Sequence, residues 1–223
     1  MQPPRPDPRV VAVLAGRVIR RVDGQGEWES AVEKLPLGGP ASVTRLGLEG
    51  DEQADRRHHG GPDKALLAWA AAHYPRWADW LGRPLAAGSF GENLLLEGLD
   101  EELTCLGDRW ALCPAGHPED EDPPVSAPVL EVSQPRVPCY KPGRLLGQAD
   151  MAARMAEWGH TGWYLRVLVA GQVAAGARPR LLQRPHPDWS VARCWKAYAC
   201  RDTHPQEWQA LRRLPELAEA WRT

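Results

Sequence analysis

The segment Pro128–Lys141, PVLEVSQPRVPCYK, decides how this chain is read. Leu130 and Val132 alternate with Glu131 and Ser133, the period-two pattern of a strand with one face buried. Pro135 and Pro138 fix their own φ and push Gln134 and Val137 extended. The pattern predicts a strand that delivers Ser133 and Gln134 to a turn. A stiff loop then presents Arg136, Cys139, Tyr140 and Lys141. A lone cysteine is most often a small buried hydrophobe. Beside cations it forms an electropositive thiol site, open to both a lowered pKa and metal ligation.

A second unusual segment, Leu46–Leu66 (LGLEGDEQADRRHHGGPDKAL), mixes acids, bases, histidines and glycines with few apolar residues. Gly60-Gly61-Pro62 permits a close backbone approach and a sharp turn. The adjacent His58 and His59 point apart in an extended chain, so at most one faces a site. Each reads equally well as a turn residue.

Working outward, Val10–Ile19 is an expected first strand, with further strands near Ala31–Leu35 and at Ser42–Leu48. Ala65–Trp69 predicts a strand and Ala71–Trp80 a helix that carries Pro75 in its first turn. Phe90–Leu96 and Leu103–Leu112 add strands. Pro114–Pro128, acidic and rich in proline, predicts an exposed loop that does not pack. Asp150–Trp158 reads as a helix, and Gly162–Val169 and Gln172–Leu182 as closing strands. Pro185-His186-Pro187 marks a linker. Helical segments follow at Ser190–Cys200, Pro205–Arg213 and Pro215–Trp221, with Ser190 and Thr203 as N-caps and Pro215 early in its helix.

The length, 223 residues, suits one domain with a small appendage, and the 43% hydrophobic and 25% charged contents are globular values. A net charge of −2 without a basic aromatic stripe argues against nucleic acid or a membrane surface as partner. Lys34, Lys64, Lys141 and Lys196 are the lysines among 27 basic residues, so arginine carries most positive charge. Eleven Trp against one Phe point to packing residues. Five irregularly spaced cysteines without a CxxC pair do not make a disulfide framework. The proline-rich start has no signal-peptide core, and no run approaches the ~18 apolar residues of a membrane helix, which predicts a soluble cytoplasmic protein.

Four motifs occur in order: GLEGDEQAD (Gly47–Asp55), HHGGPDKAL (His58–Leu66), SFGENL (Ser89–Leu94) and QPRVPCYK (Gln134–Lys141). Together they resemble the MOSC domain, and within it the YiiM branch of 6-N-hydroxylaminopurine resistance proteins, over about Val11–Trp221. The resemblance implies a mainly β, α+β fold. A disordered lead-in (1–9) precedes a distorted MOSC-type β-barrel with a few helices (10–184) and a small three-helix domain (185–223). It implies a molybdenum cofactor, a molybdopterin carrying Mo, with Cys139 as the protein's metal ligand and His59, which matches the family's His-Gly-Gly, as a proton donor. Arg136, Lys141 and Lys64 are then the cations for the pterin phosphate, with backbone N–H groups at Gly60, Gly61 and Gly91 beside them. Asn93 and Gln134 of the motifs join the cofactor-binding set, although Asn93 reads equally as a turn residue. Glu92 and Asp51 read either as groups that orient cations or move protons, or as ion-pair partners. The other cysteines read as core.

The implied activity is reduction of N-hydroxylated bases and related N-oxygenated small molecules, in detoxification. The chain carries no Rossmann fingerprint, iron–sulfur motif or haem motif, so electrons are expected from a separate reductase. The protein is expected to act as a monomer or homodimer. A cofactor carrier or sulfur-transfer module without turnover is the alternative. A zinc hydrolase using His58, His59 and Cys139 lacks any paired-ligand spacing.

Overall fold

A computed structural model describes residues 6–55 and 59–222. Residues 1–5 of the expected lead-in, and His58, lie outside the described residues, and Arg9 already opens the first strand. The strands are β1 (Arg9–Ala15), β2 (Ile19–Asp23), β3 (Gly26–Ser30), β4 (Leu35–Pro36), β5 (Ala41–Thr44), β6 (Gly47–Leu48), β7 (Leu66–Ala70), β8 (Leu94–Glu97), β9 (Arg109–Cys113), β10 (Val129–Pro135), β11 (Trp163–Val169), β12 (Gly171–Val173) and β13 (Arg178–Gln183). The helices are α1 (Tyr74–Leu81), α2 (Tyr140–Leu146), α3 (Met151–Trp158), α4 (Val191–Ala199), α5 (Pro205–Arg212) and α6 (Glu219–Arg222).

The principal sheet runs β13-β9-β10-β11-β7-β8-β1-β4. Its pairs are antiparallel except β7 with β8, which α1 joins as a crossover. The expected β-barrel is not closed. Its two ends meet at a corner, where Val10 N donates to Ala177 O (2.8 Å) and Gly176 N to Val10 O (2.8 Å), without a ladder between β1 and β13. The mainly β, α+β class stands.

β10 departs from the half-buried strand expected of it, since Leu130 through Pro135 are all buried. β9 and β11 flank it, and the C-terminal segment covers its second face, where Ala218 N donates to Ser133 O (3.0 Å). Glu131 and Ser133 are therefore paired. Glu131 takes Arg109 Nε (2.8 Å) and Arg166 Nη1 (2.5 Å), and Ser133 Oγ donates to Asp63 O (2.5 Å). Pro135 is tolerated because it is the last residue of the strand.

The tryptophans do pack. Trp69, Trp77 and Phe90 form a second apolar cluster with Met151 and Met155 under α1 and α3, and Trp69 stacks on Phe90 at 4.2 Å. A third cluster joins the C-terminal helices to Leu106 through Leu211, Leu217 and Trp221. Ser190 caps α4 as expected, accepting from Arg193 N. His204, not Thr203, occupies the N-cap of α5, and α6 begins at Glu219, well past Pro215. The acidic loop is largely exposed, but it does pack: Arg180 holds the carbonyls of Glu119 and Glu121, and Gln172 N donates to Ser126 O (2.9 Å).

Glu101 ties the layers together. Its carboxylate accepts Thr161 N (3.1 Å) and Gly162 N (2.8 Å) and faces His73 Nε2 at 2.6 Å, while His73 stacks on His160. Burial alone would raise this carboxyl. The bond to His73 and the N–H of Gly162 outweigh burial and hold it below the usual range. Glu101→Ala should destabilise the fold by about 3 kcal/mol at neutral pH, because it orphans buried donors. A depressed folded-state pKa stabilises above the unfolded value and that contribution is lost as pH falls through the folded value. Urea denaturation should therefore show the gap to wild type narrowing from pH 7 toward pH 3.

Candidate functional site

A cleft with about 580 Å³ of open space lies where the loop after β6, the end of β3, the start of β8 and the β10–α2 junction converge. Among the expected residues, Cys139, His59, Gly60, Lys64, Asn93, Arg136 and Lys141 line it. They come from segments scattered between Leu48 and Leu146, which β7, β8, β10 and β11 hold together.

Cys139 is half-buried and sits at the N-cap of α2 with φ −124° and ψ 165°. The helix was missed in the sequence, where Pro142 and Gly143 obscure it. Burial pushes the thiol up, but a hydrogen bond from His59, the charge of Arg136 and the N–H of Lys141 outweigh it and bring it down to about 6. Arg136 follows β10, anchored by its N–H to Gly162 O (3.1 Å), and its Nη2 points at Cys139 Sγ, 3.5 Å away. The residue is 2% exposed, its Nε and Nη1 have no hydrogen-bond partner, and among the described residues no carboxylate pairs with it.

His59 enters from the loop before Pro62, with Nδ1 3.1 Å from the hydroxyl of Tyr164. Gly60 has φ +79°, and a Cβ there would stand 2.9 Å from Gln53 Oε1, so this turn passes close to a lining side chain. Lys64 closes the short helical turn Pro62–Lys64, and burial draws its ammonium down. Its neighbour Asp63 is gripped by Arg166 (2.6 Å) and by Glu219 N (2.8 Å), so the C-terminal segment braces the base of the cleft.

Two expected residues are placed otherwise. Gln134 is buried outside the lining, with Nε2 on Pro135 O (3.0 Å), because β10 runs two residues further than its expected turn. Gly61 takes φ +83° ahead of Pro62 and also stands outside the lining. Asn93 lines the cleft, yet its amide is engaged: Nδ2 donates to Leu14 O (3.2 Å) and Asp51 Oδ2 (2.9 Å), and Oδ1 accepts Leu67 N (3.0 Å). Glu92 is fully buried, accepting from Tyr74, Gly88 N and Phe90 N, and burial raises its carboxyl.

Lys34, Gln53 and Tyr164 line the cleft and were not identified in the sequence. Lys34 forms a buried ion pair with Asp51, which also accepts Gly16 N (2.8 Å) and Gln53 Nε2 (3.2 Å). Burial lowers the Lys34 ammonium against the pull of Asp51. Tyr164 stood in an apolar strand run, where its hydroxyl was the one hint of a site. Among the described residues no three His, Cys, Asp or Glu side chains converge as a protein-only metal site requires. No helix among the described residues is long and apolar enough to cross a membrane.

A sequence profile of the MOSC domain matches residues 55–178, from just before His59 to the start of β13. YiiM of Escherichia coli is 36% identical over 179 residues, 78% of this chain and 72% of that protein. A protein named "Reductase" from Gibberella moniliformis is 34% identical over 203 residues, which cover 89% of this chain but 34% of that one. The crystal structure of YiiM from Geobacillus stearothermophilus superposes with a TM-score of 0.76 at 27% identity, over 96% of this chain and 95% of that chain. With its motifs gathered in one cleft, its fold shared nearly end to end and its central half matched by the profile, the chain belongs to the MOSC domain family, in the YiiM branch.

Proposed function

We propose that the protein is a molybdenum-cofactor-dependent reductase of N-hydroxylated bases, such as 6-N-hydroxylaminopurine, and of related N-oxygenated compounds, acting in cytoplasmic detoxification. The observation that carries this reading is the buried, carboxylate-free guanidinium of Arg136 aimed at a thiol held as thiolate. MOSC domains are associated with molybdenum cofactor binding, and this donor set fits such a group. A thiolate is a soft metal ligand, and a buried guanidinium that faces only that thiolate, with Nε and Nη1 unbonded, has donors left for an anion. Cys139 would ligate the metal, while Arg136, Lys64 and Lys141 would face the anionic pterin part.

Reduction follows R–NHOH + 2 e⁻ + 2 H⁺ → R–NH₂ + H₂O. When bound, the cofactor supplies the two-electron centre. The chain's own contribution is to seat the substrate in the cleft, restrict water and deliver a proton to the departing oxygen from His59. Electrons come from a separate reductase.

The test is elemental analysis of protein purified from a host that assembles the cofactor, followed by an assay of 6-N-hydroxylaminopurine reduction with a chemical electron donor. Near-stoichiometric molybdenum and turnover are expected. Protein free of molybdenum, from a host that loads its other molybdoenzymes, would overturn the reading.

A further inference from the structure

We propose that Tyr164 is the positioning residue for His59, its hydroxyl holding Nδ1 so that the protonated Nε2 faces Cys139 and the open cleft. The inference deepens the proposed function and rests on it for the meaning of the proton, though not for the geometry.

Three observations carry it. The first is rigidity. Tyr164 lies in β11 between two neighbours, opposite Gln134 of β10 and Leu67 of β7, so ladders on both sides fix its backbone. Its carbonyl also accepts Ser133 Oγ (3.2 Å). His59, by contrast, stands on a loop between β6 and Pro62, with its N–H on Asp55 O (2.9 Å). A proton donor on such a loop needs an anchor within the sheet, and the Tyr164 hydroxyl at 3.1 Å is placed as one.

The second observation is direction. A phenol next to an imidazole can donate or accept, and the tautomer of the ring decides which. The Arg136 guanidinium lies against the Tyr164 oxygen and favours its negative end. A guanidinium only donates, so the phenol oxygen accepts from Arg136, and of the two partners given for this buried hydroxyl only His59 Nδ1 can take its hydrogen. Nδ1 is then an acceptor and the ring proton sits on Nε2.

The third is closure. His59 bonds to the thiol that Arg136 also contacts, so Arg136, Tyr164, His59 and Cys139 form a closed ring of contacts. Within it Tyr164 is the member that is buried in the sheet and has no charge to contribute. It lines the cleft behind His59, and the role proposed for it is exerted through His59.

Tyr164→Phe keeps the aromatic ring and removes the hydroxyl. The full chain, labelled with ¹⁵N-histidine and purified from a cofactor-assembling host, would be compared with wild type by imidazole ¹⁵N–¹H correlation at one fixed alkaline pH. His59→Ala assigns the resonance. Wild type should show His59 as a single Nε2–H tautomer with a hydrogen-bonded Nδ1. Tyr164→Phe should show a mixture of tautomers, with unchanged molybdenum content, kcat lowered about 10-fold or more and KM within about twofold. An unchanged tautomer in Tyr164→Phe overturns the proposal. A tautomer change in a protein that reduces no N-hydroxylated base sustains the positioning role and removes the reductase reading instead.

Discussion

Cys139→Ser should purify folded and reduce N-hydroxylated bases more than about 100-fold more slowly, a loss beyond that of a supporting hydrogen bond at a metal site. The substitution exchanges sulfur for oxygen and little else. A hydroxyl is not a thiolate: it stays protonated at neutral pH and is a hard, weak donor where a soft anionic one is needed. Misfolding is not a competing explanation, because the local structure favours serine. Cys139 is the N-cap of α2 in extended conformation, and serine is among the preferred residues there. Its side chain would accept a backbone N–H that sulfur serves poorly, which adds roughly 0.5 kcal/mol. Molybdenum content, thermal midpoint and turnover would be measured on one preparation. Lost turnover with an equal or higher midpoint assigns the ligand to Cys139. Wild-type turnover in the serine variant would sink that assignment, whereas cofactor held equally by both proteins with turnover in neither would favour a carrier that holds the pterin by its cations.

The same thiol gives a pH signature without cofactor. His59, Arg136 and the Lys141 N–H face it from three segments, and Tyr164 stands behind His59. Alkylation by iodoacetamide requires the thiolate. In cofactor-free protein its rate should be half-maximal near pH 6, fall below that and level off above it.

What was legible in the sequence, and what was not, follows from which interactions are local. The strand β7, the following helix with Pro75 in its first turn and the Ser190 cap depend on residues within a few positions of one another, and propensity captures them. So do the four motifs, whose members share single loops. Burial of Glu131 and Ser133 was illegible, because the cover comes from Ala218 and Arg166, far along the chain. Barrel closure was likewise misjudged. Whether β1 pairs with β13 depends on the corner at Gly176–Ala177, which no periodicity encodes. At the site, Lys34 and Tyr164 were missed because each gains its role through a distant partner, Asp51 and His59 respectively. Gln134 was assigned by its motif, but strand pairing with Tyr164 consumed the position.

Arg136→Met should weaken cofactor retention by a factor of about 30 to 150, the equivalent of roughly 2–3 kcal/mol, while leaving the cofactor-free protein as stable as wild type or more so. The two halves of this expectation have one cause. In the cofactor-free chain the guanidinium is 2% exposed, meets the thiol at 3.5 Å and the neutral Tyr164 hydroxyl, and leaves Nε and Nη1 unbonded. Burying a cation so poorly compensated opposes folding, and replacing it with an apolar side chain of similar length is stabilising by about 1–3 kcal/mol. Methionine is flexible enough to fill the vacated space. The thiolate would lose its nearest fixed charge, so half-maximal alkylation of Cys139 should move above pH 6. When the anionic cofactor is present the balance reverses, since the ligand brings acceptors and negative charge to the nitrogens that the fold leaves unbonded. Urea denaturation of cofactor-free protein would be set beside molybdenum retained through gel filtration. A variant that loses stability in step with retention would make Arg136 a structural residue. A variant that keeps its cofactor would move the anion-holding role to Lys64 and Lys141. Higher stability with lower retention would identify Arg136 as a charge kept in the core at a cost to folding for the sake of what binds against it.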